Sequence, residues 1–122
     1  MSANLRPFRS LALALLLAQV AACAGGVDHA ALRVEVGSKP VVLLSTAWCG
    51  YCRKLRADLN NWDVPYDEID VEQSDAGQRA YELVGGHGVP ILLVGDQVVH
   101  GYSPKRAREL IGEAGIDMSS VD

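Results

Sequence analysis

The feature that most restricts the fold is an uninterrupted apolar run, Val41-Val42-Leu43-Leu44. A strand that is apolar on both faces has to be covered on both sides, which is typical of the central strand of an α/β sheet. After this run, Cys52, Leu55 and Leu59 recur at a spacing that places them on one face of a helix. A central strand that leads into an amphipathic helix predicts a layered α/β domain.

Signals for strands and helices alternate from Val41 onward in the order β-α-β-α-β-β-α. A strand–helix–strand step predicts a parallel pair with a right-handed crossover, and the tight turn at Gly95-Asp96 predicts an antiparallel hairpin. The later elements are a strand toward Asp70, a helix over 74–84, strands over 91–94 and 97–100, and a helix begun by Ser103-Pro104. We predict a mixed four-stranded sheet flanked by helices over residues 39–116, followed by a tail over 117–122.

The segment before the first strand is expected to be a tether that adds an edge strand. Its start, residues 24–31, is rich in small residues and is typical of a flexible linker. Leu32, Val34 and Val36 then alternate with charged residues, and this period of two predicts a half-buried strand. We therefore assign residues 23–38 to a tether and an edge strand.

The N-terminal residues have the pattern of a secretory signal peptide. Arg6 and Arg9 precede an apolar run over residues 11–18, and small residues follow from Ala21. A basic start, a short apolar core and a small-residue exit are the three parts of such a signal. The run is shorter than the roughly 20 apolar residues that a membrane-spanning helix needs. We predict a signal peptide over residues 1–22; an uncleaved anchor and a buried helix are the alternatives.

The end of this signal resembles a bacterial lipobox. Val20-Ala21-Ala22-Cys23 fits that motif at all four positions, and the resemblance implies that Cys23 becomes the lipid-modified first residue. The alternative is ordinary cleavage at the A-x-A-like site Ala22-Cys23-Ala24. Lipidation would tether the domain to a membrane without spanning it. The expected location is the periplasm-facing cell envelope, with a soluble periplasmic or secreted protein as the alternative.

Composition and charge argue against several classes of partner. The chain has 122 residues, 49% of them hydrophobic, with a net charge of −4, which fits one ordinary globular domain. Without residues 1–22 it keeps 9 of its 11 basic residues and all 15 acidic ones, a net charge of −6. A nucleic-acid partner would need a clustered basic surface, so none is expected. We expect membrane contact only through a lipid at Cys23.

Cys49 and Cys52 are separated by two residues where the first strand gives way to a helix. The start of a helix has free N–H groups and a positive dipole end, and both favour a thiolate. Such motifs lower the pKa of a cysteine from about 8.5 into the range of about 3.5–7.5. We expect an exposed Cys49 to attack a substrate disulfide and a covered Cys52 to resolve the mixed disulfide.

A CxxC pair has two other common uses, zinc binding and a structural disulfide. Structural zinc needs four ligands, whereas this chain has no second CxxC and its histidines, His29, His87 and His100, are scattered. A purely structural disulfide would close a very small loop, and small loops give the least stabilisation. Both uses are therefore less favoured than redox exchange, and no metal site is expected.

The motif Trp48-Cys49-Gly50-Tyr51-Cys52 and the later Gly88-Val89-Pro90 together resemble the glutaredoxin branch of the thioredoxin-fold family. The resemblance runs from about Lys39 to Ala114 and implies a thioredoxin-like fold and thiol–disulfide oxidoreductase activity. It also implies that Pro90 follows a cis peptide bond beside the cysteines and that the backbone of Val89 pairs with an extended substrate. Trp48 and Tyr51 would form an apolar rim, although packing is an equal alternative for Trp48.

The resemblance is incomplete where this family holds glutathione. Of a glycine pair followed by aspartate, only Gly101 is present, and no lysine precedes Cys49. Gln78 or Arg79 could substitute, so glutathione stays open as a co-substrate, while no resident cofactor is expected. The expected partners are disulfide-containing proteins or small thiols. The chain itself is expected to be a monomer. The alternative function is a glutaredoxin-like module that binds an iron–sulfur cluster or Cu(I) without redox turnover.

Overall fold

The structure is a computed structural model that describes residues 26–119. The expected signal peptide and Cys23 lie outside the described residues. The elements, in chain order, are α1 (His29–Val36), β1 (Val41–Ser45), α2 (Gly50–Asn61), β2 (Asp67–Asp70), α3 (Asp75–Leu83), β3 (Ile91–Val94), β4 (Gln97–His100) and α4 (Pro104–Glu113). No helix among the described residues has the length and apolar character needed to cross a membrane.

The four strands form one mixed sheet in the order β2-β1-β3-β4. β1 is parallel to β2 and antiparallel to β3, and β3 is antiparallel to β4. In this register Leu43 lies between Glu68 of β2 and Leu92 of β3. The predicted element order, the central position of β1, the parallel crossover and the hairpin at Gly95-Asp96 are all confirmed.

The sheet separates two hydrophobic layers. Successive side chains of a strand point to opposite faces, so Val41 and Leu43 pack with α2 and α4, whereas Val42 and Leu44 pack with α1 and α3. Every residue of β1 and β3 is buried. Burying one Val or Leu side chain contributes about 1.5–3 kcal/mol, so these two strands contribute a large part of the core beneath the turn that leads to the cysteines.

The expected N-terminal edge strand is wrong, because residues 29–36 form the helix α1. Asp28 caps this helix by accepting a hydrogen bond from the Ala31 N–H at 3.0 Å. Leu32 and Val36, four residues apart, are buried on one helix face, while Val34 between them is 81% exposed. The helix also shortens the predicted tether. Alternation over three residues is therefore equally compatible with a helix that buries only its first and last apolar positions.

Candidate active site

Cys49 and Cys52 are joined by a disulfide, with their Cα atoms 5.2 Å apart. The chain leaves β1 at Ser45, turns, and enters α2 at Gly50, so Cys49 occupies the N-cap position of the helix. Its sulfur accepts a hydrogen bond from the backbone N–H of Cys52 at 3.0 Å. A donor at the positive end of a helix favours negative charge on the acceptor, so this position suits a thiolate at Cys49.

The two cysteines are more alike in burial than expected. Cys52 is fully buried, as predicted, but Cys49 is only 4% exposed, so the expectation of an exposed Cys49 is wrong. The disulfide turns its sulfur toward Cys52, and the Val89 carbonyl oxygen lies 3.7 Å from the Cys49 Sγ on another side. Of the two cysteines, only Cys49 is therefore accessible at all to an incoming thiol.

The segment before β3 lies against the disulfide. The Val89–Pro90 peptide bond is cis, as predicted, and Pro90 is buried. The Gly101 N–H donates to the Pro90 carbonyl at 2.9 Å. Gly101 has a φ of +86°, a conformation that favours glycine. The structure thus places Val89 next to Cys49, with Pro90 and Gly101 directly behind it.

Trp48 and Tyr51 flank the cysteines as an exposed aromatic rim, with 67% and 58% of their surfaces accessible. The Trp48 Nε1–H donates to the Glu72 Oε1 at 2.7 Å. Tyr51 stacks on Tyr102, with ring centroids 5.6 Å apart. Trp48 is therefore a rim residue rather than packing.

Tyr102 is itself held by α2, because its hydroxyl donates to the Asp58 Oδ2 at 2.7 Å. This hydrogen bond is the main cause that raises the pKa of Tyr102. Neither Asp58 nor Glu72 was predicted from the sequence as a site residue. Glu72 follows β2, and the carboxyl ends of parallel strands lie at the same edge of a sheet. The parallel pairing of β1 and β2 therefore predicts that Glu72 lies near the turn that follows β1.

A groove of about 450 Å³ lies beside Trp48. Its lining residues come from the ends of β1 and β2, from α3 and from the segment before Pro90: Thr46, Trp48, Val71, Glu72, Gln78, Tyr81, Gly88 and Val89. Gln78 thus lies in the groove, whereas the Arg79 guanidinium bonds to Glu35 of α1 at 2.9 Å. Of the two expected substitutes for the glutathione contacts, only Gln78 lines this groove.

Two of the three histidines are neighbours, because the ring centroids of His87 and His100 lie 6.1 Å apart. The third, His29, has its Nδ1 3.8 Å from the Asp96 Oδ1. Within residues 26–119, no group of three or more His, Cys, Asp or Glu side chains is arranged to hold a metal ion.

Residues 41–99, which contain both cysteines and the cis proline, match the family model described as Glutaredoxin. The match and the geometry support the glutaredoxin family. Glutaredoxin-C4 of Arabidopsis thaliana is 27% identical over 127 residues, covering 88% of this chain and 93% of that protein. A Mycobacterium tuberculosis protein named as a glutaredoxin is 40% identical over 45 residues, which is 37% of this chain. This last match spans about half (50%) of that relative's length.

Solved structures share the fold of this glutaredoxin-like chain. A mutant of the thioredoxin-like protein BC3987 has a TM-score of 0.59 and 21% identity, covering 62% of this chain and 97% of that one. A buckwheat glutaredoxin–glutathione complex has a TM-score of 0.57 and 22% identity, covering 73% of this chain and 94% of that one. The predicted thioredoxin-like fold is therefore confirmed. The Cys49–Cys52 pair lies within the residues that match the Glutaredoxin model.

Proposed function

We propose that this chain is a thiol–disulfide oxidoreductase that acts by dithiol exchange on disulfides of exported proteins or small thiols. The observation that carries the proposal is the disulfide between Cys49 and Cys52 at the start of α2, with the Cys52 N–H on the Cys49 sulfur. A position that stabilises negative charge on Cys49 makes it the attacking sulfur and leaves the fully buried Cys52 to resolve.

The exchange begins with the reduced chain. The Cys49 thiolate attacks one sulfur of the substrate disulfide, a new sulfur–sulfur bond forms, and the other substrate sulfur leaves as a thiolate. Cys52 then loses its proton and attacks Cys49, which releases the second substrate sulfur and restores the internal disulfide. The substrate gains two electrons and the chain loses two. In the reverse direction the chain oxidises a dithiol.

The segment before β3 is well placed to orient the substrate. The Val89 carbonyl lies 3.7 Å from the Cys49 sulfur, and Pro90 is anchored by the Gly101 N–H. A substrate that runs extended past Val89 would pair with its backbone and bring a sulfur to Cys49. Trp48 and Tyr51 would cover the apolar parts of such a substrate from either side.

The direction of exchange depends on the reduction potential of the pair. A value near −120 mV would indicate an oxidant and one near −270 mV a reductant, roughly the potentials of strongly oxidising and reducing members of the wider fold. Equilibration with glutathione buffers, followed by quantification of the Cys49–Cys52 disulfide, gives this value directly.

We further propose that the chain works at the periplasm-facing side of a bacterial envelope, as a monomer tethered through a lipid on Cys23. The support is the signal-like N-terminal pattern and its lipobox-like end. Mass spectrometry of the mature N-terminus tests this: a lipid-modified Cys23 is expected, and a chain that retains residues 1–22 would contradict the proposal.

The test of the activity is turnover of a protein disulfide, such as those of insulin, with dithiothreitol as the reductant. Cys49→Ser is expected to abolish turnover by the chain, and Cys52→Ser to stop the cycle at a mixed disulfide. Cys23→Ser, the matched control, is expected to leave turnover by the purified chain unchanged. Undiminished turnover by Cys49→Ser would contradict the proposed function.

A further inference from the structure

We propose that the groove beside Trp48 selects substrates that carry positive charge next to their disulfide, and that Glu72 determines this preference. The inference rests on the proposed thiol–disulfide function and adds the chemical class of the substrate. It concerns the part of the substrate that flanks the reacting sulfur.

The groove begins at the reacting sulfur. Val89 belongs to its lining, and the carbonyl of the same residue lies 3.7 Å from the Cys49 Sγ. Trp48, another lining residue, directly precedes Cys49 in the chain. A substrate whose sulfur reaches Cys49 therefore has its neighbouring groups at the mouth of this groove.

The charge of the groove is negative. Among its eight described lining residues, Glu72 alone carries a charge at neutral pH, and none is a lysine or arginine. Arg79 follows Gln78 but is bonded to Glu35 on α1. Two of the three cations of α2, Arg53 and Lys54, line a separate hollow together with Tyr51. The third, Arg56, is bonded to Glu68. An anionic substrate group in the groove would thus meet Glu72 with no cation in the lining to offset it.

Glu72 is fixed in position. The Trp48 indole donates to its Oε1 at 2.7 Å, and its own backbone N–H donates to the Asp70 Oδ1 at 2.7 Å. An ionised carboxylate offers about four lone-pair sites for hydrogen bonds, so the single indole bond leaves capacity for an ammonium or guanidinium group. A carboxylate that is held in place in advance loses less side-chain entropy when it binds.

A second polar group in the groove points to a ligand. Thr46 is 4% exposed, and within the described part of the chain its buried Oγ1 has no hydrogen-bond partner. Buried polar atoms are normally paired. Thr46 lies on the same groove lining as Glu72. A small rotation of its side chain would offer the Oγ1 to a substrate N–H in the groove, in addition to the carboxylate.

The test compares three small disulfides that differ in charge: cystamine with two ammonium groups, hydroxyethyl disulfide with none, and dithiodipropionate with two carboxylates. Each kcat/KM is divided by the rate of the same disulfide with free 2-mercaptoethanol, which removes the difference in intrinsic reactivity. The expected order is cystamine, then hydroxyethyl disulfide, then dithiodipropionate. Glu72→Gln should lower the cystamine-to-dithiodipropionate ratio by about fivefold, the effect of one favourable surface charge pair.

The matched control is Glu113→Gln, which makes the same change of charge on an exposed position of α4, across the sheet from the groove. It should leave the ratio unchanged. Trp48→Phe removes the indole donor that positions Glu72 and should lower the ratio. In the unaltered chain, raising the salt to 0.5 M should also lower the ratio, because salt screens exposed charges.

The outcomes separate this inference from the function on which it rests. If the chain turns over all three disulfides but with equal normalised rates, or if Glu72→Gln and added salt both leave the ratio unchanged, charge selection is wrong and the oxidoreductase function stands. If the chain turns over neither these disulfides nor insulin, the proposed function fails and charge selection fails with it. If it turns over insulin alone, charge selection is wrong and the oxidoreductase function stands. The salt series needs no variant, so it decides the matter even if Glu72→Gln does not fold.

Discussion

The backbone N–H of Cys52 donates a hydrogen bond to the sulfur of Cys49 at 3.0 Å, so Cys52 contributes to the site both through its thiol and through its backbone. This arrangement exists because Cys49 stands at the N-cap of α2, where the first N–H groups have no partner within the helix. The same bond is available to a thiolate after the disulfide is reduced. Replacement of the Cys52 side chain therefore removes the resolving sulfur and keeps the donor.

The reactivity of Cys49 in the reduced chain is the first prediction. With a backbone donor and the positive end of a helix at its sulfur, Cys49 should have a pKa below the value of about 8.5 for a free cysteine. Peptide-resolved alkylation by iodoacetamide across pH 4–10 measures this. Cys49 should react at neutral pH, and the buried Cys52 much more slowly. Equal rates at the two cysteines, or a midpoint for Cys49 above 8.5, would contradict the prediction.

The second prediction concerns the pH dependence of stability. Hydrogen bonding from the Arg56 guanidinium is the largest cause that lowers the pKa of Glu68, and the Ser45 hydroxyl adds a bond at 2.7 Å. A pKa lowered in the folded state contributes stability above the unfolded value of about 4.3, and this stability is lost as pH falls through the folded value. Glu68→Gln should therefore reduce the free energy of unfolding at pH 7 by about 1 kcal/mol, a modest figure because the pair is partly exposed.

Urea unfolding at pH 7 and at pH 3 measures this difference. The gap between the Glu68→Gln variant and the unaltered chain should shrink at the lower pH, where the carboxyl is becoming protonated in both folded and unfolded states. Glu113→Gln serves as the control, with a small effect at both pH values. A gap that stays constant with pH would show that Glu68 contributes by packing alone.

The third prediction compares two helical glycines. A Cβ built on Gly77 of α3 would overlap the backbone carbonyl oxygen of Asp70, whereas a Cβ on Gly112 of α4 would lie 3.9 Å from its nearest neighbour, Met118 Cε. Gly77→Ala should destabilise the chain by about 1–3 kcal/mol through overpacking. Gly112→Ala should stabilise it by up to about 1 kcal/mol, the difference in helix propensity. Thermal unfolding measures both, and an equal effect at the two positions would contradict the assigned packing of α3.

The fourth prediction concerns how Tyr51 is supported. Tyr102→Phe keeps the ring that stacks on Tyr51 and removes only the hydroxyl bonded to Asp58. Because that bond is only partly buried, the variant should lose only about 0.5 kcal/mol of stability and keep its turnover. Tyr102→Ala removes the stack and should raise the KM for a protein disulfide by about two- to fivefold, with kcat nearly unchanged. Identical KM values for the two variants would show that the stack does not position Tyr51.

Much of the fold could be predicted from local patterns. The apolar run Val41–Leu44 identified the central strand, and the buried face of α2 followed from the helical spacing of its apolar residues. Ser103 was predicted to cap α4; it occupies that position, although its side chain makes no capping bond. The helix α1 was missed because three alternating apolar residues fit two different periods, and only its packing against α3 distinguishes them.

The site residues that are close in sequence or belong to a motif could be predicted. The cysteine pair and the cis proline belong to motifs and were identified. The bond from Trp48 to Glu72 joins residues 24 positions apart, and the bond from Tyr102 to Asp58 joins residues 44 apart. Such pairings depend on how loops from different strands meet. The burial of Cys49 likewise follows from the distant Val89.

The central claim, that Cys49 is the attacking sulfur and Cys52 the resolving one, is tested most directly by trapping the mixed disulfide. Reduced Cys52→Ser is mixed with cystamine, and peptide mapping by mass spectrometry locates the adduct. The account predicts a stable adduct on Cys49 that forms much faster than any adduct on Cys52 in the reduced Cys49→Ser variant. An adduct that forms equally fast on Cys52, or no adduct on Cys49, would contradict it.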